Sequence, residues 1–178
     1  MSRSAAREIS SEVTACDHTL RLRSLASTSA VYQVVFRYHE PGEYRQPQEP
    51  LSIEVVYEDR KPRAGDSLQA TATVKNQMQE TAPMVMIELP IPAGFRAFAE
   101  DFDRLVEKGA IAKFQLQPTR VLVYLRELAA GKTQTLSYRL HAQMAVDVRV
   151  PPARVYEYYN PERQGFSTTT RLVVAQGP

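Results

Sequence analysis

Ser67-Leu68-Gln69-Ala70-Thr71-Ala72-Thr73-Val74-Lys75 alternates apolar and polar residues without a break, the two-residue period of a strand with one face buried and the other in water. Just before it stands Arg63-Ala64-Gly65-Asp66, where a glycine tolerant of positive φ lets the chain reverse, so the stretch reads as one strand of an antiparallel pair. The rhythm recurs. Segments that alternate or run apolar, rich in Val, Ile, Leu, Tyr and Thr, are broken at short intervals by Pro, Gly, Asp or Glu. They predict strands over residues 18–23, 30–38, 51–57, 67–75, 84–89, 111–116, 121–125, 133–143, 154–159 and 168–174. A second glycine turn, Ala129-Ala130-Gly131-Lys132, predicts another hairpin-like reversal.

One segment departs from the period. Over residues 98–108, Phe98, Phe102, Leu105 and Val106 fall at i, i+4, i+7 and i+8, on one face of a helix. Glu100, Asp101 and Asp103 suit the positive end of its dipole, and Lys108-Gly109 suits its C-terminus. With no repeated strand-helix alternation to build a parallel sheet, the expected class is all-β: an antiparallel β-sandwich with one short inserted helix, preceded by a β-hairpin. Residues 41–50, with three prolines and a glycine, cannot lie inside a sheet and read as a linker. The expected division is a tail and hairpin over 1–40, the linker over 41–50 and the sandwich over 51–178.

Composition limits the function. At 178 residues the chain holds one domain, or a domain and a fragment. Its 43% hydrophobic and 24% charged residues, with a mean hydropathy of −0.36, are those of a folding globular chain rather than a disordered or membrane one. A net charge of +2, with Arg and Lys scattered singly, demands no phosphate backbone, so nucleic acid is not an expected partner. The N-terminal residues carry no apolar run, so neither a secretory leader nor membrane insertion is expected of the chain as it stands. Neither asparagine, Asn76 or Asn160, opens a glycosylation sequon.

Catalytic chemistry finds little footing. The single cysteine, Cys16, can form neither an internal disulfide nor a thiolate zinc site and reads as an idle thiol. His18, His39 and His141 lie on separate segments without metal-ligand spacing, and surface histidines are the simpler reading. Glu100, Asp101, Asp103 and Glu107 lack the aspartate and glycine spacing of a calcium loop. Neither a phosphate-cradling glycine loop nor a Gly-x-Ser-x-Gly elbow occurs. No catalytic residue, cofactor or metal is therefore expected. Tyr156, Tyr158 and Tyr159 form an aromatic patch, with Tyr156 and Tyr158 on one strand face, suited to a sugar, a peptide or simple packing on the facing sheet, of which packing is the plainest. Together with Phe98, Asp103 and Arg104 on the helical segment, these tyrosines form the candidate interaction surface.

Three stretches carry a resemblance to a known family. Pro83-Met84-Val85-Met86-Ile87-Glu88-Leu89-Pro90 with Ala93-Gly94-Phe95, then Val121-Leu122-Val123-Tyr124-Leu125, then Arg154-Val155-Tyr156-Glu157-Tyr158-Tyr159 resemble, in order and spacing, the C-terminal receptor-binding domain of the α2-macroglobulin and complement thioester proteins. The likeness runs over roughly 51–174. His18-Thr19-Leu20-Arg21-Leu22 and Val31-Tyr32-Gln33-Val34-Val35-Phe36-Arg37-Tyr38 resemble the last hairpin of the CUB domain that precedes it in those proteins.

The resemblance implies the tail of a larger extracellular or periplasmic protein, acting as a non-catalytic interaction module. Its partner would be the upstream thioester-bearing portion or a surface protein. The family's Gly-Cys-Gly-Glu-Gln thioester motif does not occur here. Counted from the shared Gly-Phe, the two helix lysines that the family uses for receptor binding fall on Ala99 and Asp103, neither of them basic. An unpartnered CUB-like hairpin bearing Val31, Val34 and Phe36 would also invite a homodimer. The alternative is a free-standing β-sandwich adhesion or carbohydrate-binding protein using Tyr156, Tyr158 and Tyr159; an unrecognised hydrolase ranks last.

Overall fold

A computed structural model of the chain describes residues 49–177. The expected N-terminal strands 18–23 and 30–38, with the dimer they would mediate, Cys16, and all of the linker except its last two residues lie outside the described residues. The elements run β1 (Leu51–Tyr57), β2 (Ser67–Asn76), β3 (Ala82–Pro90), β4 (Phe95–Ala97), α1 (Ala99–Glu107), β5 (Lys113–Leu116), β6 (Arg120–Leu128), β7 (Thr133–Ala142), β8 (Val146–Val150), β9 (Arg154–Glu157), β10 (Asn160–Phe166) and β11 (Thr170–Val174). One antiparallel sheet has the order β1-β2-β7-β4, a second β10-β9-β3-β6-β5, and β11 pairs with β8. This is an all-β sandwich with one short helix.

The alternation in β2 does what its period requires. Leu68, Ala70, Ala72 and Val74 are buried, as are Leu136, Tyr138 and Leu140 on the neighbouring β7. From the other sheet Val85, Ile87 and Leu89 of β3 and Val121, Val123 and Leu125 of β6 join the same apolar cluster. Each large aliphatic side chain buried there contributes on the order of 1.5–3 kcal/mol. The Arg63 to Asp66 turn forms as expected: Gly65 has φ +97°, Asp66 N–H donates to the Arg63 carbonyl at 3.0 Å, and the Asp66 carboxylate accepts from Arg63 N–H at 2.9 Å.

The second glycine turn differs in role. Gly131 has φ +66°, and Lys132 N–H donates to the Ala129 carbonyl at 3.1 Å. The strands it joins, β6 and β7, belong to different sheets, however, so it is a crossover and not a hairpin. Asn76 fixes that crossover from inside: its buried amide donates to the carbonyls of Leu128 (2.8 Å), Ala129 (3.3 Å) and Glu80 (2.8 Å), and its oxygen accepts from Met78 N–H at 2.9 Å. Every polar atom of a fully buried amide is thereby satisfied.

Three strands escaped the sequence reading. β4 has only three residues. β10 runs Asn-Pro-Glu-Arg-Gln-Gly-Phe, which has no apolar alternation because it is an edge strand whose inward position is Gly165. β8 does alternate, with Val146, Val148 and Val150 about Asp147 and Arg149, but it is confined before Pro151-Pro152. Two other boundaries shift: Ile111 ends the helix turn rather than starting β5, its N–H going to the Leu105 carbonyl at 3.3 Å, and β9 stops at Glu157.

The last four strands form one continuous ribbon. Val174 pairs with Val146, Thr170 with Val150, Phe166 with Arg154 and Gln164 with Tyr156, in a single unbroken register. Proline has no N–H for the ladder; across this gap the Ser167 hydroxyl accepts from Ala153 N–H at 2.8 Å, while Ser167 N–H donates to the Ala153 carbonyl at 2.9 Å. The side facing the core changes at the same place, from Val150 and Leu172 to Ala153, Val155, Gly165 and Ser167. The ribbon therefore turns a corner as it leaves β11 and β8 to join the five-stranded sheet.

Candidate functional site

Of the three tyrosines within the expected strand 154–159, of which Tyr156 and Tyr158 share a face in that reading, only Tyr156 lies on a strand. Tyr156 lies on β9, half-buried on the outer face of the five-stranded sheet, with the Arg154 guanidinium 4.3 Å from its ring centre. Desolvation, then the charge and hydrogen bond of Glu88, raise its phenol above the ordinary value. Tyr158 and Tyr159 lie in the turn to β10, so they extend past the sheet instead of packing on the facing one. They are 53% and 75% exposed, with their rings edge to face at 5.1 Å and 89°. Packing, the plainest sequence reading, does not describe them.

The turn is anchored from below. Tyr158 N–H donates to the Met84 carbonyl at 2.9 Å. Met84 has φ +44° and is itself exposed, a conformation that costs a non-glycine residue about 1–3 kcal/mol and persists only where its surroundings enforce it. Behind the turn, Arg163 reaches Glu80 at 2.6 Å and the buried Glu157 at 3.4 Å.

The helical half of the candidate surface sits elsewhere, where α1 leaves the open edge of the four-stranded sheet. Phe98 is the residue before the helix, not part of it, and the guanidiniums of Arg96 and Arg139 approach its ring at 4.8 and 4.7 Å. Phe102 is fully buried between Tyr138 (5.3 Å) and Phe114 (5.4 Å), whereas Val106 is exposed, so the apolar stripe is narrower than its spacing suggests. The helix closes on Gly109, φ +68°, with Gly109 N–H to the Val106 carbonyl and Ala110 N–H to that of Leu105, both at 2.9 Å.

Asp101, expected only to face the helix dipole, instead fastens the helix to β7. It accepts from Arg139 N–H (2.8 Å), Nε (3.0 Å) and Nη2 (2.9 Å) and pairs with Arg104. Burial works to raise its carboxyl; the side-chain and backbone hydrogen bonds of Arg139, with the charges of Arg139 and Arg104, outweigh it and hold the group below the usual carboxylate range. Phe98 and Arg104 are thus tied into one cluster through Arg139 and Asp101, while Asp103 and Ala99 lie beside it, Asp103 exposed. The structure does not join this cluster to the tyrosines, which belong to the other sheet.

Sequence reasoning passed over what surrounds Tyr156. Register aligns Gln164, Tyr156, Met86, Tyr124 and Lys113 in one row across all five strands, and Phe166, Arg154, Glu88, Leu122 and Gln115 in the next. The residues two positions from Tyr156 hint at this face, but the apolar run 121–125 does not say which side Tyr124 takes, and only strand order brings the residues side by side. His141 meets Ser67 Oγ at 3.4 Å and the edge of Phe98. Among the described residues no three His, Cys, Asp or Glu gather as a metal site, and no helix is long and apolar enough to cross a membrane.

Comparison with known proteins agrees with this architecture. No curated protein matches the chain. Among solved structures it resembles a variant of Salmonella alpha-2-macroglobulin (TM-score 0.63, 16% identity, 76% of this chain and 10% of that one). It is similar also to native alpha-2-macroglobulin of Escherichia coli (0.63, 16%, 76% and 10%) and to a fragment of the latter that runs to its C-terminus (0.61, 16%, 76% and 24%). The chain thus spans about a tenth of the length of the long macroglobulin chains it matches. The family model for the A-macroglobulin receptor binding domain matches residues 80–170, just over half of the sequence and the stretch from the approach to β3 to the start of β11, and the chain belongs to that family.

Proposed function

We propose that the chain is a non-catalytic protein-interaction module of a macroglobulin-like protein, and that it docks through the Tyr158-Tyr159 turn onto the thioester-bearing portion of that protein. The observation that carries this reading is the exposure of two adjacent tyrosines on a turn held by the strained Met84. Exposed aromatics on a rigid support are the usual anchors of protein interfaces, and a backbone outlier beneath them is where such a site stores its strain.

The test is an affinity measurement between the chain and the separately produced thioester-bearing portion. The double variant Tyr158→Ala, Tyr159→Ala should weaken the association at least about tenfold, near 1.4 kcal/mol. An absence of association, or an affinity the double variant leaves unchanged, overturns the proposal. A glycan array that responds to the wild type and not to Tyr158→Ala would move the same turn to carbohydrate binding.

A further inference from the structure

We propose that the outer face of the five-stranded sheet is a second docking surface, which takes an extended acidic segment of a partner protein across Tyr124 and Tyr156. This surface borders the tyrosine turn, since Tyr158 follows Tyr156 by two residues and its N–H bonds to the Met84 carbonyl, but it is built from other side chains. Its floor is Met86, 4% exposed although it points to the outer side, flanked in its row by the half-buried rings of Tyr124 and Tyr156. At strand spacing the two rings stand roughly 10 Å apart, the span of three or four residues of extended chain.

Each ring carries a cation. Lys113 Nζ lies 4.3 Å from the centre of Tyr124, and the Arg154 guanidinium 4.3 Å from that of Tyr156. Among the described residues neither cation, nor Arg126 two positions beyond Tyr124, has a carboxylate within 4.0 Å. The one acid among the ten residues of the two rows is Glu88, and it is engaged by Arg120 at 2.7 Å. The face is therefore aromatic and thioether at its centre and positive at its surface. Tyrosine, methionine and arginine are the residues enriched at the centre of protein interfaces. Cations held on rings are also already desolvated on one side and fixed in place, which lowers the ordering cost of meeting a carboxylate. A segment alternating acidic and aliphatic side chains complements that pattern.

The experiment uses the full chain and a fluorescein-labelled ten-residue peptide alternating Glu and Leu, followed by fluorescence anisotropy. Binding is expected, weakened at least tenfold by Lys113→Glu with Arg154→Glu and several-fold by 0.5 M salt. The neutral pair Lys113→Gln, Arg154→Gln, checked for an unchanged melting temperature, should give an intermediate loss. The Tyr158→Ala, Tyr159→Ala variant should bind within twofold of wild type, which separates this surface from the turn. No binding, binding indifferent to the charge reversals, or tighter binding of heparin or oligothymidylate than of the peptide overturns the proposal.

Discussion

Asp101 shows how one side chain can set the position of a whole element. β4 covers only Leu140 to Ala142 of β7, so beyond it β7 has unused N–H and C=O groups on that side, as an edge strand does; at Arg139 the carbonyl accepts from Phe98 N–H, at 3.3 Å, and the N–H goes to Asp101. Asp101→Ala should cost about 2–3 kcal/mol in urea unfolding, the worth of charge-assisted bonds to a buried acceptor. The pH dependence follows from the lowered pKa. Between the folded and unfolded pKa values the unfolded chain binds the extra proton, so this stability is present above the ordinary aspartate value, about 3.9, and is lost as pH falls through the folded one. Unfolding curves of wild type and Asp101→Asn, taken from pH 7 to pH 2, should converge below about pH 4. Tyr138 works in the opposite sense. Its hydroxyl is buried without a hydrogen-bond partner among the described residues, and burial, with the neighbouring Tyr57, pushes its phenol well above 10; burial pushes Tyr57 up to about 12. Both contributions are present below pH 10 and fade as pH rises above it. Tyr138→Phe should therefore stabilise the fold by about 1 kcal/mol at pH 7 and move the alkaline unfolding midpoint upward, both read by circular dichroism.

Among the elements, the β9 and β10 end of the ribbon is sensitive to a single residue, because it packs against β1. A side chain at Gly165 would place its Cβ 1.9 Å from the Leu51 carbonyl oxygen, far inside contact distance and against backbone that has no rotamer to yield. Gly165→Ala should cost about 3 kcal/mol, the upper end for overpacking. By contrast Gly65 has open space around the added atom, so its substitution tests only the positive φ. Thermal melts of the two variants should separate by several degrees, with Gly165→Ala the lower. This is also the element the sequence disclosed least. Asn160-Pro161-Glu162-Arg163-Gln164-Gly165 looks like loop because its inward position is a glycine, whose role is to leave room for β1 rather than to fill it. The helix was legible from Phe102 and Leu105, but the attachment through Asp101 was not, since its partner Arg139 is 38 positions away.

At the scale of the molecule, the sandwich was readable from β2 and β7, where the period of two is clean, and from the short apolar runs of β3 and β6, which read as strands by their length and β-branched content. The candidate site was half readable. Tyr156, Tyr158 and Tyr159 could be named from composition, but their exposure could not, because it depends on β9 ending at Glu157. The row Tyr156, Met86, Tyr124 and Lys113 draws on four strands, and no local pattern records which strands lie side by side. The ribbon's common register bears on how such a domain can change. A residue added to either strand between Val146 and Tyr156 would displace every pair beyond it, so length there belongs jointly to two distant segments. Only past Gln164 does the pairing shift, jumping to Asn160 opposite Glu157. The tip that carries Tyr158 and Tyr159 can thus lengthen or shorten without disturbing what lies behind it, so its recognition can be rewritten while the architecture stays the same.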